Sequence, residues 1–225
     1  MPCRRQAGST ARIRAAAEAV EGLAVMGREV VRPGGAFEVE ARFWYLGTMM
    51  LSEQRIDPVT FDRTAADARA LGSDHYAIVM LIAGTCTYHH GAESRAMGAG
   101  RVSFCDFTMA ERVDTTAQHS ITIQIARPIL DQAVPPIATR GPLPDSPELR
   151  LLTSFCRTLV DLMPTMTTSN GWRMAGVVRD LLAAALIGLP TRMEDVSNNR
   201  VRERVVRYIA GQAPGSITVA ALCDT

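Results

Sequence analysis

The chain has 225 residues, of which 47% are hydrophobic and 21% charged, and its formal net charge is +1. This composition is typical of a globular protein and argues against disorder, and the small net charge gives no sign of a bulk attraction to nucleic acid or to a membrane surface. The five cysteines are scattered and form no C-x-x-C pair, which favours free thiols in a reducing compartment. Charged residues interrupt the apolar N-terminal stretch and no later apolar run is long enough to span a bilayer, so we expect a cytoplasmic protein with no membrane partner.

The pattern over residues 36–130 predicts a domain built from strands. Apolar and polar side chains alternate from Phe37 to Phe43, and residues 44–51 extend this strand, with Gly47 at a bulge or a close approach. Residues 76–83 are apolar on both faces, as in a strand that is covered on both sides. Short strands between glycine turns are typical of an antiparallel sandwich or barrel, of which cupins are one kind. The remaining strands are predicted over 85–89, 93–97, 102–107 and 121–125, where isoleucine alternates with Thr122 and Gln124.

A proline-rich connector follows Arg127-Pro128, and the periodicity then becomes helical. One helix begins after Ser146, which is a good N-cap, and carries an apolar stripe up to Met163. A second amphipathic helix covers about 171–189, so the two predict an antiparallel hairpin. We expect this hairpin to pack on the sheet, on a partner chain, or on both. The residues predicted to form a dimer contact are Leu152, Leu159, Val178, Leu181 and Leu182.

A third helix is predicted over about 198–211, with valines and an isoleucine on its inner side. Gly211 and Pro214 end it, and Thr218 has the position of an N-cap for a further helix. The more exposed side carries four arginines, which suit either a solvated face or contacts to a phosphate backbone. They are Arg200, Arg202, Arg204 and Arg207.

Two stretches resemble the AraC/XylS family of bacterial transcription regulators, in its branch with a cupin-like N-terminal domain. The first is YAIVMLIAGTCTYHHGAESRAMGAGRVSFCDF at 76–107, which is similar to the progression of strands and hairpins in that family's sensor. The second is RVVRYIAGQAPGSITVAALCDT at 204–225, which resembles the first helix of the DNA-binding domain and the opening of its first helix-turn-helix. Cys223 stands where that family usually has alanine.

The resemblance implies an α+β chain with four parts. An N-terminal arm over 1–35, loose or helical, precedes a cupin-like sensor domain over 36–130. A linker and helical dimerisation hairpin over 131–195 leads to a helix-turn-helix domain over 196–225, which we expect to be truncated before its recognition helix. The resemblance further implies a homodimer, a small-molecule effector, DNA binding in a full-length form, and no enzymatic activity, cofactor or metal.

Four residues are candidates for contact with an effector. His119 has the parity of the isoleucines in the strand over 121–125, so it is placed to look into the sandwich. His75 precedes a buried strand, and two aromatic residues on strands suit either a pocket lining or core packing. The candidates are Trp44, His75, Tyr88 and His119.

A metal-dependent cupin enzyme, such as a dioxygenase or isomerase, is the alternative. His90, Glu93 and His119 provide the two histidines and one carboxylate that suit iron. Adjacent residues of a strand point to opposite faces, so only one of His89 and His90 is able to face the interior. The pair is expected at a solvated hairpin tip instead.

Overall fold

The computed structural model describes residues 9–13, 29–31, 38–72, 74–135 and 137–189. The chain divides into two compact units, one formed by 1–134 with 140–187 and the other by 135–139 with 188–225. The fold and the candidate site lie in the first unit. The predicted third helix, its four arginines and the start of the helix-turn-helix lie outside the described residues. None of the helices in the described ranges combines the length and the apolar character needed to cross a membrane.

The described residues form twelve strands in two antiparallel sheets, which confirms the predicted sandwich. The strands are β1 Ser9–Ile13, β2 Glu29–Val31, β3 Val39–Tyr45, β4 Met49–Ile56, β5 Val59–Arg63, β6 His75–Ala83, β7 Thr85–His90, β8 Glu93–Gly98, β9 Val102–Asp106, β10 Glu111–Thr115, β11 Gln118–Ala126 and β12 Gly141–Pro142. The larger sheet has the order β1-β3-β4-β11-β6-β9-β12, and the smaller has the order β2-β5-β10-β7-β8.

Four described helical segments accompany the strands. A short helix, α1 Ala65–Leu71, follows β5, and a capping box between Thr64 and Asp67 caps its N-terminus. The others are α2 Arg127–Asp131, α3 Pro147–Leu162 with the 3-10 turn Met163–Thr165, and α4 Thr168–Leu186.

Three details of the predicted strands were wrong. The apolar run 44–51 is two strands, because Gly47, with φ +81°, turns the chain back and the Leu46 N–H donates to the Met49 carbonyl at 2.9 Å. A left-handed φ is inexpensive for glycine, which makes it a turn residue here instead of a bulge. The N-terminal arm contributes β1 and β2, which pair with β3 and β5, instead of being loose or helical at those residues. Strands β5 and β10 and helix α1 were not predicted.

The larger sheet is buried on both faces. Its inner face packs on the smaller sheet through an apolar core to which Ile56, Leu81 and Cys105 contribute. The alternate residues of the same strands form an outer face, which includes Leu51, Ile78 and Ile123, each almost fully buried. This outer face is where the helices lie, since α3 contacts β4 and α2 contacts β11. Strand β6 therefore has the two covered faces that its apolar sequence predicts.

Helices α3 and α4 form the predicted hairpin and pack against each other. Ser146 caps α3 by accepting a hydrogen bond from the Leu149 N–H, which confirms the N-cap, and Thr167 caps α4 in the same way. The buried sides of both helices follow a three-four spacing and complement the apolar outer face of the larger sheet. These buried residues are Leu149, Leu152, Cys156, Leu159 and Val160 on α3 and Gly171, Ala175, Val178, Leu182, Ala185 and Leu186 on α4.

Candidate ligand-binding site

A row of polar side chains runs along the inner face of the larger sheet. On β11 every second residue from Gln118 to Gln124 is polar, and cross-strand pairing places Ser120 beside Gln54 of β4 and Thr122 beside Val79 of β6. These residues enclose a small cavity of about 30 Å³ between the two sheets. Its lining combines this row with an apolar wall and consists of Gln54, Phe61, Ala77, Val79, Phe107, Gln118, Ser120, Thr122 and Gln124.

The middle of this row is buried, but its hydroxyl groups form no hydrogen bonds with other described residues. Ser120 is 2% exposed and Thr122 6% exposed. Among the described residues, neither hydroxyl, nor the Gln124 amide, has a hydrogen-bond partner, whereas Gln54 donates to Ser52 at 3.0 Å and Gln118 accepts from the Cys86 thiol at 3.1 Å. Buried polar groups are nearly always paired, so these hydroxyls are available to a water molecule, which the cavity is large enough to hold, or to the end of a ligand that reaches in from a neighbouring pocket.

The polar row lies between two larger pockets at opposite ends of β11. At the Gln118 end lies an open pocket of about 510 Å³ with a charged lining that includes Glu38, Arg55 and Asp57. At the Gln124 end lies a pocket of about 430 Å³ with a mostly apolar lining. Gln118 is shared by the first pocket and the inner cavity, and Gln124 and Phe107 are shared by the second pocket and the inner cavity.

The four ligand-contact candidates do not surround a common space. Tyr88 is on the inner face, where its hydroxyl lies 2.5 Å from the Ser103 hydroxyl. Trp44 is on the outer face, opposite Leu51 and with the Arg42 guanidinium 5.4 Å from its ring centre. His75 begins β6 and lines the pocket at the Gln124 end.

His119 has the parity of Ile121, as predicted, but that parity belongs to the outer face, so it does not look into the sandwich. Its Nε2 lies 2.8 Å from a carboxylate oxygen of Glu53.

The alternation of isoleucine with Thr122 and Gln124 predicts a strand, but it does not show what covers either of its faces. Both faces of β11 are in fact covered, one by helices and the other by the second sheet. A sequence signal existed in the row of four polar residues at every second position, but only the covering sheet makes it an interior row.

The histidines of the alternative metal site are not brought together. His89 lies on the solvent side of β7, 2.7 Å from Asp114 through Nε2 and 2.9 Å from Ser94 through Nδ1. His90 faces inward next to Gly141, and burial lowers its pKa. His119 is on the other sheet, paired with Glu53. In the part of the chain that the structure describes, no three histidine, cysteine or acidic side chains are grouped as metal ligands.

Four of the five residues predicted to form a dimer contact are instead buried within the protomer. Leu152, Leu159, Val178 and Leu182 lie on the sides of α3 and α4 that pack inward, and only Leu181 is partly exposed. The helical stripe marks the side that covers the sheet. The apolar side chains that this hairpin leaves exposed are Leu151, Leu162, Trp172 and Val177.

The α+β cupin-like sandwich followed by a helical hairpin is similar in fold to a solved structure. The chain has the fold of the AraC-like transcriptional activator CuxR, with a TM-score of 0.70 and 15% identity, over 96% of this chain and 83% of that one. EutQ from Salmonella typhimurium covers 54% of the chain with a TM-score of 0.30, and a predicted oxalate decarboxylase from Thermotoga maritima covers 44% with a TM-score of 0.31. No protein family and no curated protein matches the sequence.

Proposed function

We propose that the chain is the effector-binding and dimerising part of a cytoplasmic AraC-type transcription regulator. The observation that carries this proposal is the likeness of the fold to an AraC-like activator over 96% of the chain, which extends through both the sandwich and the hairpin. The role is regulatory instead of catalytic. A fold by itself hosts many functions. Effector binding is therefore argued from the interior of the sandwich, and dimerisation from the surface of the hairpin.

The interior supports effector binding. A few polar groups set in an apolar lining are typical of sites for small molecules, and the polar row of β11 provides amides and hydroxyls against Phe61 and Phe107. The cavity they line, of about 30 Å³, admits only one end of a ligand, whose body needs the pocket of about 430 Å³ that shares Gln124 and Phe107. Ser120 and Thr122 are then contact residues, and Tyr88 and His75 remain candidates from the sequence. Trp44 and His119 are on the other face of the sheet, where they are able to act only through the packing of the hairpin.

The outer surface of α3 supports dimerisation. Leu151 and Leu162 are 57% and 47% exposed, and Phe155, four residues after Leu151, is partly exposed. Positions 151, 155 and 162 fall on one side of a helix, so they form an apolar stripe of their own, separate from the buried stripe. Exposed apolar stripes of this kind mark interaction surfaces, and a second copy of the chain is the partner we propose.

Light scattering at micromolar concentration tests the dimer. The wild-type chain should show twice the monomer mass, and the double variant Leu151→Glu/Leu162→Glu should show the monomer mass with an unchanged circular dichroism spectrum. Arg157→Glu, which changes an exposed residue elsewhere on α3, is the matched control and should remain dimeric. A monomeric wild type, or a double variant that still dimerises, would contradict the proposed interface.

A further inference from the structure

The pocket at the Gln124 end has the size and lining of a binding site in its own right. Its volume of about 430 Å³ falls within the range for pockets that hold small organic ligands. Met50, which pairs with Gln124 on the inner face, contributes adaptable, polarisable surface, and Phe107 contributes an aromatic ring. The Met49 side chain has the parity of Leu51 on the outer face. The described lining residues are Tyr45, Thr48, Met49, Met50, His75, Phe107, Gln124, Ala126 and Ile129.

The charges around this pocket argue against an ionic ligand. None of the described residues that line it is a carboxylate, a lysine or an arginine. Deeper in the sandwich, Arg63 and Glu111 are both buried, but they lie 3.5 Å apart, and Arg63 also donates to the Met109 carbonyl at 2.9 Å. Apart from the His75 imidazole, the described lining therefore offers an ion no opposite charge in exchange for the hydration that it gives up on binding.

The polar groups available to a ligand lie at the inner end of this pocket. Gln124 is shared with the inner cavity, and the next inward-facing residue of β11 is Thr122. Side chains two residues apart on a strand lie about 6.6 Å from each other along it, so a single compact ligand reaches both. Both groups are able to donate and to accept hydrogen bonds.

We propose that this pocket is the entrance and main seat of the effector, and that the effector is an uncharged molecule with an apolar body and a hydroxyl or amide at one end. The body lies against Met50 and Phe107, and the polar end reaches Gln124 and Thr122. This assignment of ligand class rests on the proposed sensing function. The position is also suited to regulation, because the β3–β4 turn beside the pocket packs against Trp172 of α4 at Gly47.

Methyl NMR on the full chain labelled at the methionine methyls tests this assignment with three probes of matched shape: benzamide, benzoate and benzylamine. Benzamide should shift the Met50 signal, assigned by Met50→Leu substitution, and leave Met163 in the turn of the hairpin unchanged. Gln124→Leu should weaken benzamide binding about five- to tenfold, the loss expected for one hydrogen bond, and the exposed control Gln132→Leu should not weaken it.

A second variant keeps the assignment testable if Gln124→Leu alters the packing. Gln124→Glu should reverse the preference, so that benzylamine shifts Met50 more strongly than benzamide. Tighter binding of benzoate or benzylamine by the wild type would overturn the ligand class, and so would the absence of any shift at Met50. If the dimer is present and sensitive to Leu151→Glu/Leu162→Glu while benzamide fails, the ligand class falls and the regulatory function stands.

Discussion

At the scale of single residues, the outer face of the larger sheet holds a charged site centred on Glu53 beside its apolar layer. Glu53 on β4 accepts a hydrogen bond from the Arg42 Nε at 2.8 Å and contacts the His119 Nε2 at 2.8 Å. Burial acts to raise the pKa of Glu53, but the hydrogen bonds from Arg42 and His119 outweigh it, so the pKa lies below its usual value. The His119 side chain is therefore engaged with Glu53 on the outer face and is not placed to contact a ligand inside the sandwich.

This network makes the stability of the fold depend on pH in the acid range. Because the pKa of Glu53 is lowered on folding, its stabilisation is complete above the unfolded value of about 4.3 and is lost as the pH falls through the folded pKa. We expect Glu53→Gln to lower the free energy of unfolding by about 1–2 kcal/mol at pH 7, as for lost hydrogen bonds to a charged group, and by less at pH 3. Urea unfolding at both pH values measures this, and an equal loss at both would contradict it.

A second residue-scale feature joins α2 to the sandwich. Arg127 donates from Nε to Asp74 at 2.5 Å, and its other nitrogens bond to the Tyr76 hydroxyl, to Asp106 and to Thr108. The guanidinium also lies 4.4 Å from the Tyr76 ring centre. The Asp106 side chain is almost fully buried, so Arg127 is the cation that compensates its charge.

We expect Arg127→Met to destabilise the protein by about 3 kcal/mol, because it removes the guanidinium that pairs with the buried Asp106 carboxylate. The double variant Arg127→Met/Asp106→Asn should recover part of that loss, since the uncompensated charge is removed with its partner. Arg150→Met, which breaks an exposed pair with Asp145, should change stability little. Denaturant unfolding of the three variants decides the matter, and a loss for Arg150→Met as large as that for Arg127→Met would argue against the role of burial.

At the scale of secondary structure, the hairpin has an inward stripe and an outward stripe on the same helix. Leu152 is fully buried and its neighbour Leu151 is exposed, so consecutive leucines of α3 have opposite roles. The buried residue packs as core beneath the hairpin. The exposed residue adds no packing within the protomer and is available to a partner.

The pair provides an internal comparison of these roles. Leu152→Ala should cost about 3 kcal/mol, the cost of a cavity in a packed core. Leu151→Ala should change the stability of the isolated protomer by less than about 0.5 kcal/mol, as for a surface substitution. Thermal unfolding at low protein concentration, where the protomer dominates, measures both. The opposite order would mean that the inward and outward sides of α3 have been exchanged.

At the scale of the whole molecule, the contacts to DNA that the sequence predicts for a full-length form lie outside the described residues. Arg200, Arg202, Arg204 and Arg207 share the more exposed side of a predicted helix, and we propose that they contact the phosphate backbone. Phosphate contacts add affinity that depends on salt and carry no sequence information of their own.

Replacing these four arginines by glutamine should weaken DNA binding at low salt and reduce the slope of affinity against salt concentration. The change should be the same for a promoter fragment and for a scrambled duplex, because base edges are not involved. Fluorescence anisotropy titrations at several salt concentrations measure both quantities. A variant that loses affinity for the promoter alone would instead show that one of these arginines reads bases.

The order of the elements was predictable from the sequence alone. Alternation over two residues, then a three-four spacing after Ser146, predicted a sandwich followed by a helical hairpin, and both are present. These signals are local, because a strand or helix that covers a core has to repeat its apolar residues with its own period. The α3 N-cap was predictable for the same reason, since it depends on residues within one turn.

The assignment of faces was decided only by the tertiary structure. A period shows that one side of an element is covered, but not by what, so Leu152 and Val178 suited a dimer contact as well as they suited the sheet. In the same way, the alternation does not show whether Thr122 and Gln124 face solvent or an interior. They line an interior cavity because the second sheet covers this face. His119 kept its predicted parity, but the helices cover that face and the interior lies on the other. The polar row became a candidate site because residues distant in the chain, from β4, β5 and β11, close around it.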